Sequence, residues 1–292
     1  PPLQASAVLG AAAAALASAA AVALVRRPDE DHGLQAYRRR RGRSRSQART
    51  VVCFGDSITR GNMSADWVGS LRARLGGLDQ GSAAVINAGT NMHCARNLCD
   101  QLDEVLSCRP SHVVVLIGTN DLKAELSPFE GASYCLFNGW TAAPTLEAYE
   151  QDLVRIRDGL LASGARVALA SPPVLGEDLA SEANRLAAAY ADAVRRIAAG
   201  GGPACAYLPL HERTRELAPE TAGQPYDGLR FFFWMWAMCW DVHVLKRDYS
   251  AIQLERSLGA TVDLVHLGPG AADSLAEMAA GFVRGGGTDG DA

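Results

Sequence analysis

The chain lacks several patterns that define other classes of protein. Its seven cysteines include no Cys-x-x-Cys pair, which argues against a zinc knuckle or a thioredoxin-type site. No cluster of His, Asp and Glu has the spacing of metal ligands, so we expect neither a metal nor a cofactor. A Gly-x-Ser-x-Gly elbow is also missing, which excludes an ordinary α/β-hydrolase. The odd cysteine count leaves at least one thiol unpaired, although Cys94 and Cys99 stay candidates for a disulfide.

Charge is unevenly distributed along the chain. Residues 1–25 carry none, and residues 26–49 hold nine arginines against three acidic residues, a net charge of +6. Because the whole chain of 292 residues carries −4, residues 50–292 carry −10. So acidic a region lacks the basic footprint of a nucleic-acid-binding protein. We interpret residues 26–49 as a basic, disordered linker.

The segment Leu3 to Val25 is 23 uncharged residues, long enough to span a bilayer of about 30 Å as a helix. Three interpretations stay open: a signal anchor, a cleaved secretory or organelle-targeting leader, and an Ala-rich low-complexity tail. If the segment is an anchor, Arg26 and Arg27 favour a cytoplasmic location for residues 26–292. The localisation expected is therefore membrane-anchored, or secretory or organelle-targeted.

From residue 50 onward, short apolar runs alternate with longer amphipathic stretches. This alternation predicts a doubly wound α/β/α fold in three layers, with a mostly parallel five-stranded sheet. The predicted domain covers residues 50–284 and is followed by a Gly-rich tail, 285–292. The strands are expected at Thr50 to Phe54, Ala83 to Asn87, Val113 to Ile117, Ala165 to Ala170 and Ala204 to Leu208.

Ligands of such sheets bind at the carboxyl ends of the strands, and polar blocks stand at these points. Gly55-Asp56-Ser57 follows the first strand, the second leads into Asn87-Ala88-Gly89, and Gly118-Thr119-Asn120-Asp121 follows the third. A fourth block, Asp263-Leu264-Val265-His266, lies near the C-terminus.

With these four blocks in this order, the chain resembles the SGNH (GDSL-like) hydrolases, a superfamily with a flavodoxin-like sheet named for Ser, Gly, Asn and His. The resemblance implies an esterase in which Ser57 is the nucleophile, His266 the base and Asp263 the residue that orients the imidazole. It also implies an oxyanion hole formed by the N–H groups of Ser57 and Gly89 and the side-chain amide of Asn120. Members of the family often have Asn-x-Gly-x-x-Gly in the second block, where this chain has Met92 in place of the last glycine.

Each of these residues also has a purely structural interpretation. Ser57 could serve only as a helix cap, Gly89 and Gly118 only as turn residues, and Asn120 only as part of a turn. Asp56 and Asp121 are expected to bond local backbone amides rather than to take part in catalysis. The other histidines that compete for the role of base are His93, His112, His211 and His243.

Two insertions interrupt the family pattern, at 126–144 and 225–250. The first is rich in aromatic residues and suggests a wall or lid over the substrate. The second contains the apolar run Phe231 to Trp240, which is too short to span a bilayer. Its alternatives are a buried core helix, a dimer contact, or a lid over an acyl pocket. Trp140, Phe231 and Trp234 are the predicted substrate-binding residues.

The expected activity is hydrolysis of a carboxylic ester, either a lipid or a short-chain acyl ester, through an acyl-serine intermediate. The alternatives are an acyltransferase on the same fold and an inactive, membrane-tethered binding protein. The expected partner is a small-molecule or lipid ester, with possible membrane association through Leu3 to Val25. Neither the oligomeric state nor the substrate can be deduced from the sequence, because one fold supports many activities.

Overall fold

A computed structural model of the chain describes residues 33–41, 49–76, 83–219 and 223–285. Five strands form one sheet in the order β2-β1-β3-β4-β5, and every neighbouring pair is parallel. The bounds are β1 Thr50–Gly55, β2 Ala84–Gly89, β3 His112–Leu116, β4 Arg166–Ala170 and β5 Cys205–Leu208.

Twelve α-helices accompany the sheet in the described part of the chain. They are α1 Leu34–Arg41, α2 Ser57–Arg60, α3 Trp67–Arg74, α4 Ala95–Leu106, α5 Thr119–Leu126, α6 Pro128–Asn138, α7 Leu146–Ala162, α8 Glu182–Gly200, α9 Leu210–Leu217, α10 Gly228–His243, α11 Tyr249–Glu255 and α12 Pro269–Arg284.

Both faces of the sheet are covered, as the apolar runs of its strands predict. On β1, Val52 and Phe54 pack into one core with α4, α7 and α8. The alternate residues Val51 and Cys53 pack into a second core with α3 and α12. Successive side chains of a strand point to opposite faces, so this division confirms the predicted three layers.

The sheet register aligns the ends of the three strands that carry the polar blocks. Gly55 on β1 pairs with Gly89 on β2 and with Leu116 on β3. The residues that come after these strands therefore begin at the same level of one edge.

The predicted disordered linker, residues 26–49, contains one ordered helix. Within residues 26–49, helix α1 is formed, and Leu34 and Tyr37 on it pack against the first core. Gly33 bridges to Asn87, and the Tyr37 hydroxyl lies 3.0 Å from Thr50 Oγ1. These apolar contacts explain the order of this stretch. The hydrophobic segment Leu3 to Val25 and the tail after residue 285 lie outside the described residues.

All seven cysteines are free thiols, so the candidate Cys94–Cys99 disulfide is not formed. Cys94 is buried at the start of α4, whereas Cys99 Sγ lies 3.5 Å from the Asp152 carbonyl oxygen. Within the described ranges, no helix is both long and apolar enough to cross a membrane.

Candidate active site

Ser57 is the first residue of α2, separated from the end of β1 by Asp56 alone. The helix is capped by Asp56, whose Oδ1 accepts a hydrogen bond from the Ile58 N–H at 2.9 Å. Ser57 is therefore not the cap, and its hydroxyl is left to make a different contact. The N–H of a first helical residue has no partner within its helix, and that of Ser57 has no acceptor among the described residues.

Ser57, His266 and Asp263 form one hydrogen-bonded chain. Ser57 Oγ lies 2.9 Å from His266 Nε2, and His266 Nδ1 lies 2.7 Å from Asp263 Oδ2. A carboxylate is an acceptor only, so Nδ1 carries the proton and Nε2 accepts from the serine hydroxyl. All three residues are buried, with Ser57 7% exposed.

The loop that carries Asp263 and His266 is folded tightly around the carboxylate. Asp263 Oδ1 accepts from the N–H groups of Val265 and His266, at 3.1 and 2.8 Å. Leu264 between them has a φ of 81°, in the left-handed region that non-glycine residues rarely adopt. Its carbonyl accepts from the Gly176 N–H at 2.8 Å, so the loop after β4 stabilises this conformation.

Glu177 is a site-positioning residue that the sequence did not reveal. It is 1% exposed, and its carboxylate accepts from the N–H groups of Gly259, Ala260 and Thr261 at 2.7 to 2.9 Å. The Thr261 hydroxyl adds a fourth hydrogen bond at 2.8 Å. These residues lie two to four positions before Asp263. The sequence signal for a site residue was a position just after the end of a strand. Glu177 lies seven residues after the end of β4, so this signal did not identify it.

Both the nitrogen and the oxygen of the Asn120 side-chain amide form hydrogen bonds. Its Nδ2 donates to the His93 carbonyl at 2.8 Å, and its Oδ1 accepts from the Tyr134 hydroxyl at 2.6 Å. An amide NH2 has two donors, and the second N–H of Asn120 has no acceptor among the described residues. Tyr134 lies on α6, so the first insertion supports Asn120.

Gly89, a predicted oxyanion-hole donor, is the last residue of β2. Its N–H already donates to Asn87 Oδ1 at 2.9 Å. A Cβ at this position would lie 2.3 Å from the Arg60 backbone nitrogen, so glycine is required here by the close approach of α2. Met92 has a φ of 65°, a backbone conformation that glycine adopts more readily than other residues.

Asp56 bonds a local backbone amide, as expected, whereas the backbone amide that Asp121 bonds lies on a different helix. Asp121 accepts from the Ala95 N–H with both carboxylate oxygens, at 3.2 Å, at the start of α4. Burial raises the pKa of Asp121 to about 7 and that of Asp56 to about 6, since desolvation penalises the charged form.

None of the other four candidate histidines is hydrogen-bonded to Ser57. His93 contributes its carbonyl to Asn120, and burial lowers the pKa of its imidazole. His112 Nδ1 lies 3.0 Å from Ser111 Oγ, and His243 Nε2 lies 2.7 Å from the Asn62 carbonyl. His211 is buried, and neither ring nitrogen has a partner among the described residues. Of the described histidines, His266 is the one bonded to Ser57.

The three predicted substrate-binding residues lie in different surroundings. The Phe231 ring centroid is 6.0 Å from that of His266. Trp234, one turn later on α10, packs between Arg230 and Arg256. Trp140 packs against Cys94, Ala124 and Tyr134 and borders a pocket of about 220 Å³. The structure therefore brings Phe231 to the triad, but shows no contact of Trp140 or Trp234 with it.

The run Phe231 to Trp240 lies on α10 and has two distinct faces. Met235, Met238 and Cys239 are buried in a small core with Met63, Ile252 and Val262. Phe233 and Trp240 on the opposite face are 61% and 60% exposed. The helix thus combines a core face with an exposed apolar face. Across the described residues, no group of three or more His, Cys, Asp or Glu side chains is placed to hold a metal ion.

The fold and this site define an α/β enzyme with a hydrogen-bonded serine, histidine and aspartate at the carboxyl edge of a parallel sheet. The chain belongs to the GDSL-like Lipase/Acylhydrolase family, whose model matches residues 53–233. It is therefore a hydrolase that acts on carboxylic esters, and the predicted family and fold are confirmed.

Solved structures of esterases have the same fold. A mutant acetyl-xylooligosaccharide esterase from Geobacillus has a TM-score of 0.55 and 18% identity, covering 83% of this chain and 96% of that chain. An acetylxylan esterase from Geobacillus stearothermophilus has a TM-score of 0.53 and 18% identity, covering 82% and 94%. A further acetyl xylan esterase has a TM-score of 0.52 and 19% identity, covering 80% and 99%. No curated protein sequence matches the chain significantly.

Proposed function

We propose that this hydrolase cleaves short-chain acyl esters through an acyl-serine intermediate on Ser57. The observation that supports the mechanism best is the chain Ser57 Oγ to His266 Nε2 to Asp263 Oδ2, at 2.9 and 2.7 Å. His266 takes the hydroxyl proton as Ser57 attacks the acyl carbonyl, and then gives that proton to the leaving alcohol. Water repeats the sequence on the acyl-enzyme, and Asp263 stabilises the imidazolium in both steps.

The oxyanion of each tetrahedral intermediate needs donors that are already in place. The Ser57 N–H and the second N–H of Asn120 supply two of them. Gly89 would add a third if its N–H shared the hydrogen bond that it gives to Asn87. In this proposal the oxyanion hole therefore rests mainly on Ser57 and Asn120.

The solved acetylxylan esterase from Geobacillus stearothermophilus offers a parallel for these roles. Catalytic mutants of that enzyme replace a serine, an aspartate and a histidine by alanine. Its aspartate precedes its histidine by three residues, the same spacing as Asp263 and His266. This spacing lets one carboxylate bond both the imidazole and the backbone of its own loop.

Two observations favour a short acyl group. Ser57 is 7% exposed and His266 2% exposed, and the Phe231 ring packs beside the imidazole, so the site is closely walled. Two of the similar solved structures are an acetyl-xylooligosaccharide esterase and an acetyl xylan esterase. An acetyl or similarly small acyl group fits both observations better than a long lipid chain does.

The test is hydrolysis of p-nitrophenyl esters, from acetyl to palmitoyl, by the full chain and its Ser57→Ala variant. We expect kcat/KM to be highest for the shortest acyl groups and to fall to background in Ser57→Ala. Ser70→Ala is a matched control, because it replaces another serine of the same region, on α3, whose hydroxyl makes no hydrogen bond to the loop that carries His266. Equal background rates for wild type and Ser57→Ala would contradict the esterase activity and favour an inactive binding protein. A higher kcat/KM for the palmitoyl ester than for the acetyl ester would contradict the proposed short acyl group.

Labelling with a fluorophosphonate probe identifies the nucleophile directly, and modification of any residue other than Ser57 would contradict its assignment. Adding an alcohol acceptor to the acetyl assay separates transfer from hydrolysis. An acyltransferase would produce the new ester at the expense of free acetate.

A further inference from the structure

A pair of opposite charges near the triad, the buried Lys123 and the half-buried Glu130, has unused hydrogen-bonding capacity. Lys123, on α5, is 6% exposed, and its Nζ lies 3.7 Å from Glu130 Oε2, beyond hydrogen-bond distance. Among the described residues, Lys123 Nζ makes no hydrogen bond. Glu130 Oε2 is buried and accepts none from them, whereas its other oxygen accepts from the Tyr226 hydroxyl. An unmade hydrogen bond of a buried charged group is costly, so Glu130 Oε2, which is buried without a partner among the described residues, points to a missing partner.

The pair lies on the histidine side of the site. Lys123 Nζ is 4.2 Å from the centre of the Phe231 ring, and that ring is 6.0 Å from the His266 imidazole. Burial raises the pKa of Asp56, the residue before Ser57, while the nearby charge of Lys123 lowers it. His266 must protonate the leaving alcohol. The alcohol part of the ester therefore lies toward Phe231 and Lys123.

The chemistry of the pair selects a neutral hydroxyl group. An anion would accept from Lys123 but would be repelled by Glu130, and a cation would meet the opposite conflict. A hydroxyl both donates and accepts, so one oxygen about 2.8 Å from each atom would satisfy the ammonium and the carboxylate together. We propose that Lys123 and Glu130 form a subsite for a hydroxyl of the substrate's alcohol, which makes esters of polyhydroxy alcohols the preferred substrates.

Both insertions contribute to this subsite. Glu130 belongs to the first and is positioned by Tyr226 from the second, while Phe231 from the second covers Lys123. The inference rests on the proposed function, because it concerns the same reaction centre. It extends that function from the acyl group to the alcohol.

The experiment compares glycerol monoacetate with propyl acetate, which share the acyl group and a three-carbon alcohol but differ in hydroxyl groups. The wild-type full chain should have the higher kcat/KM on glycerol monoacetate. Lys123→Met should reduce this preference by about 10- to 100-fold, the range of one charge-assisted hydrogen bond. Lys246→Met is the matched control, since it removes the other lysine of the chain, and it should keep the wild-type preference.

A wild-type enzyme without preference for glycerol monoacetate would overturn the subsite, whatever the variants do. Equal losses on both esters in Lys123→Met would also overturn it, since they indicate a structural role for the pair. Glu130→Gln gives a second measurement if Lys123→Met does not fold, and it should weaken the preference in the same direction. Failure of the proposed function is distinguishable, because neither ester would then be hydrolysed in a Ser57-dependent way.

Discussion

At the scale of single residues, some hydrogen bonds of the site are structural and leave neighbouring groups free for catalysis. Asp56 caps α2 and thereby leaves the Ser57 hydroxyl for His266. Asn120 uses one N–H and its carbonyl for support, which leaves the other N–H for substrate. In each case a structural hydrogen bond positions the residue and leaves its catalytic hydroxyl or N–H available.

Asn120→Ala should lower kcat on p-nitrophenyl acetate by about 100- to 1,000-fold, the usual loss for one oxyanion-hole donor. KM should change little, because the donor acts on charge that develops in the transition state. Tyr134→Phe keeps the ring but removes the 2.6 Å hydrogen bond that orients the amide, so its loss should be smaller. A kcat of Asn120→Ala within about threefold of wild type would remove Asn120 from the oxyanion hole, given the usual size of that loss.

Sequence reasoning located the polar residues of this site but not their supports. Ser57, Asn120 and His266 were predictable because they stand at strand ends or in a recognisable block. Tyr134 and Glu177 were not, since their contacts with Asn120 and Gly259 depend on how separate loops fold back. The hydrogen bond from the Gly89 N–H to Asn87 Oδ1 could not be predicted either, because no sequence pattern indicates that the Asn87 side chain accepts it.

At the scale of elements, the regular sheet was predictable to within two residues at each strand end. Buried parallel strands are continuous apolar runs, and those runs end where the polar blocks begin. The insertions were harder, because α6 and α10 have mixed surfaces that no periodicity resolves. For α10, one core face and one exposed face were found where the sequence left three alternatives open.

Glu177→Gln should loosen the loop that carries Asp263 and His266. A glutamine amide would place N–H donors against the N–H groups of residues 259–261 and lose at least one charge-assisted hydrogen bond. We expect the free energy of unfolding to fall by about 1.5–3 kcal/mol, with a lower kcat for the folded variant. Urea unfolding and steady-state kinetics measure the two effects.

The exposed Glu182→Gln, at the start of α8, is the control for Glu177→Gln. It removes the same charge without breaking a buried contact, and such surface changes are usually worth within about 0.5 kcal/mol. Equal stability and activity of the two variants would show that Glu177 does not position the loop.

At the scale of the whole molecule, buried carboxyl groups below the active edge link stability to pH. Burial raises the pKa of Asp121 from 3.8 to about 7. As the pH rises from about 4 to 7, the unfolded chain releases this proton while the folded protein retains it. The free energy of unfolding therefore decreases over this window and levels off above it.

Asp121→Asn removes the titrating group but keeps an oxygen for the Ala95 N–H. Its stability relative to wild type should increase between about pH 4 and 7 by about 4 kcal/mol, at about 1.4 kcal/mol for each pKa unit. Urea unfolding at several pH values measures this difference. The control Asp103→Asn, on the exposed side of α4, should match the wild-type profile. A pH-independent difference for Asp121→Asn would show that Asp121 ionises in the folded protein as it does in water.

Because Lys123 is buried, its chemical reactivity can report the opening of the active site. The chain has two lysines, and Lys246 is exposed whereas Lys123 lies under Phe231. Reductive methylation should therefore modify Lys246 at once and Lys123 only when α10 moves away from the site. The ratio of the two rates, read by mass spectrometry, would report how often the site opens, without any substrate or engineered label.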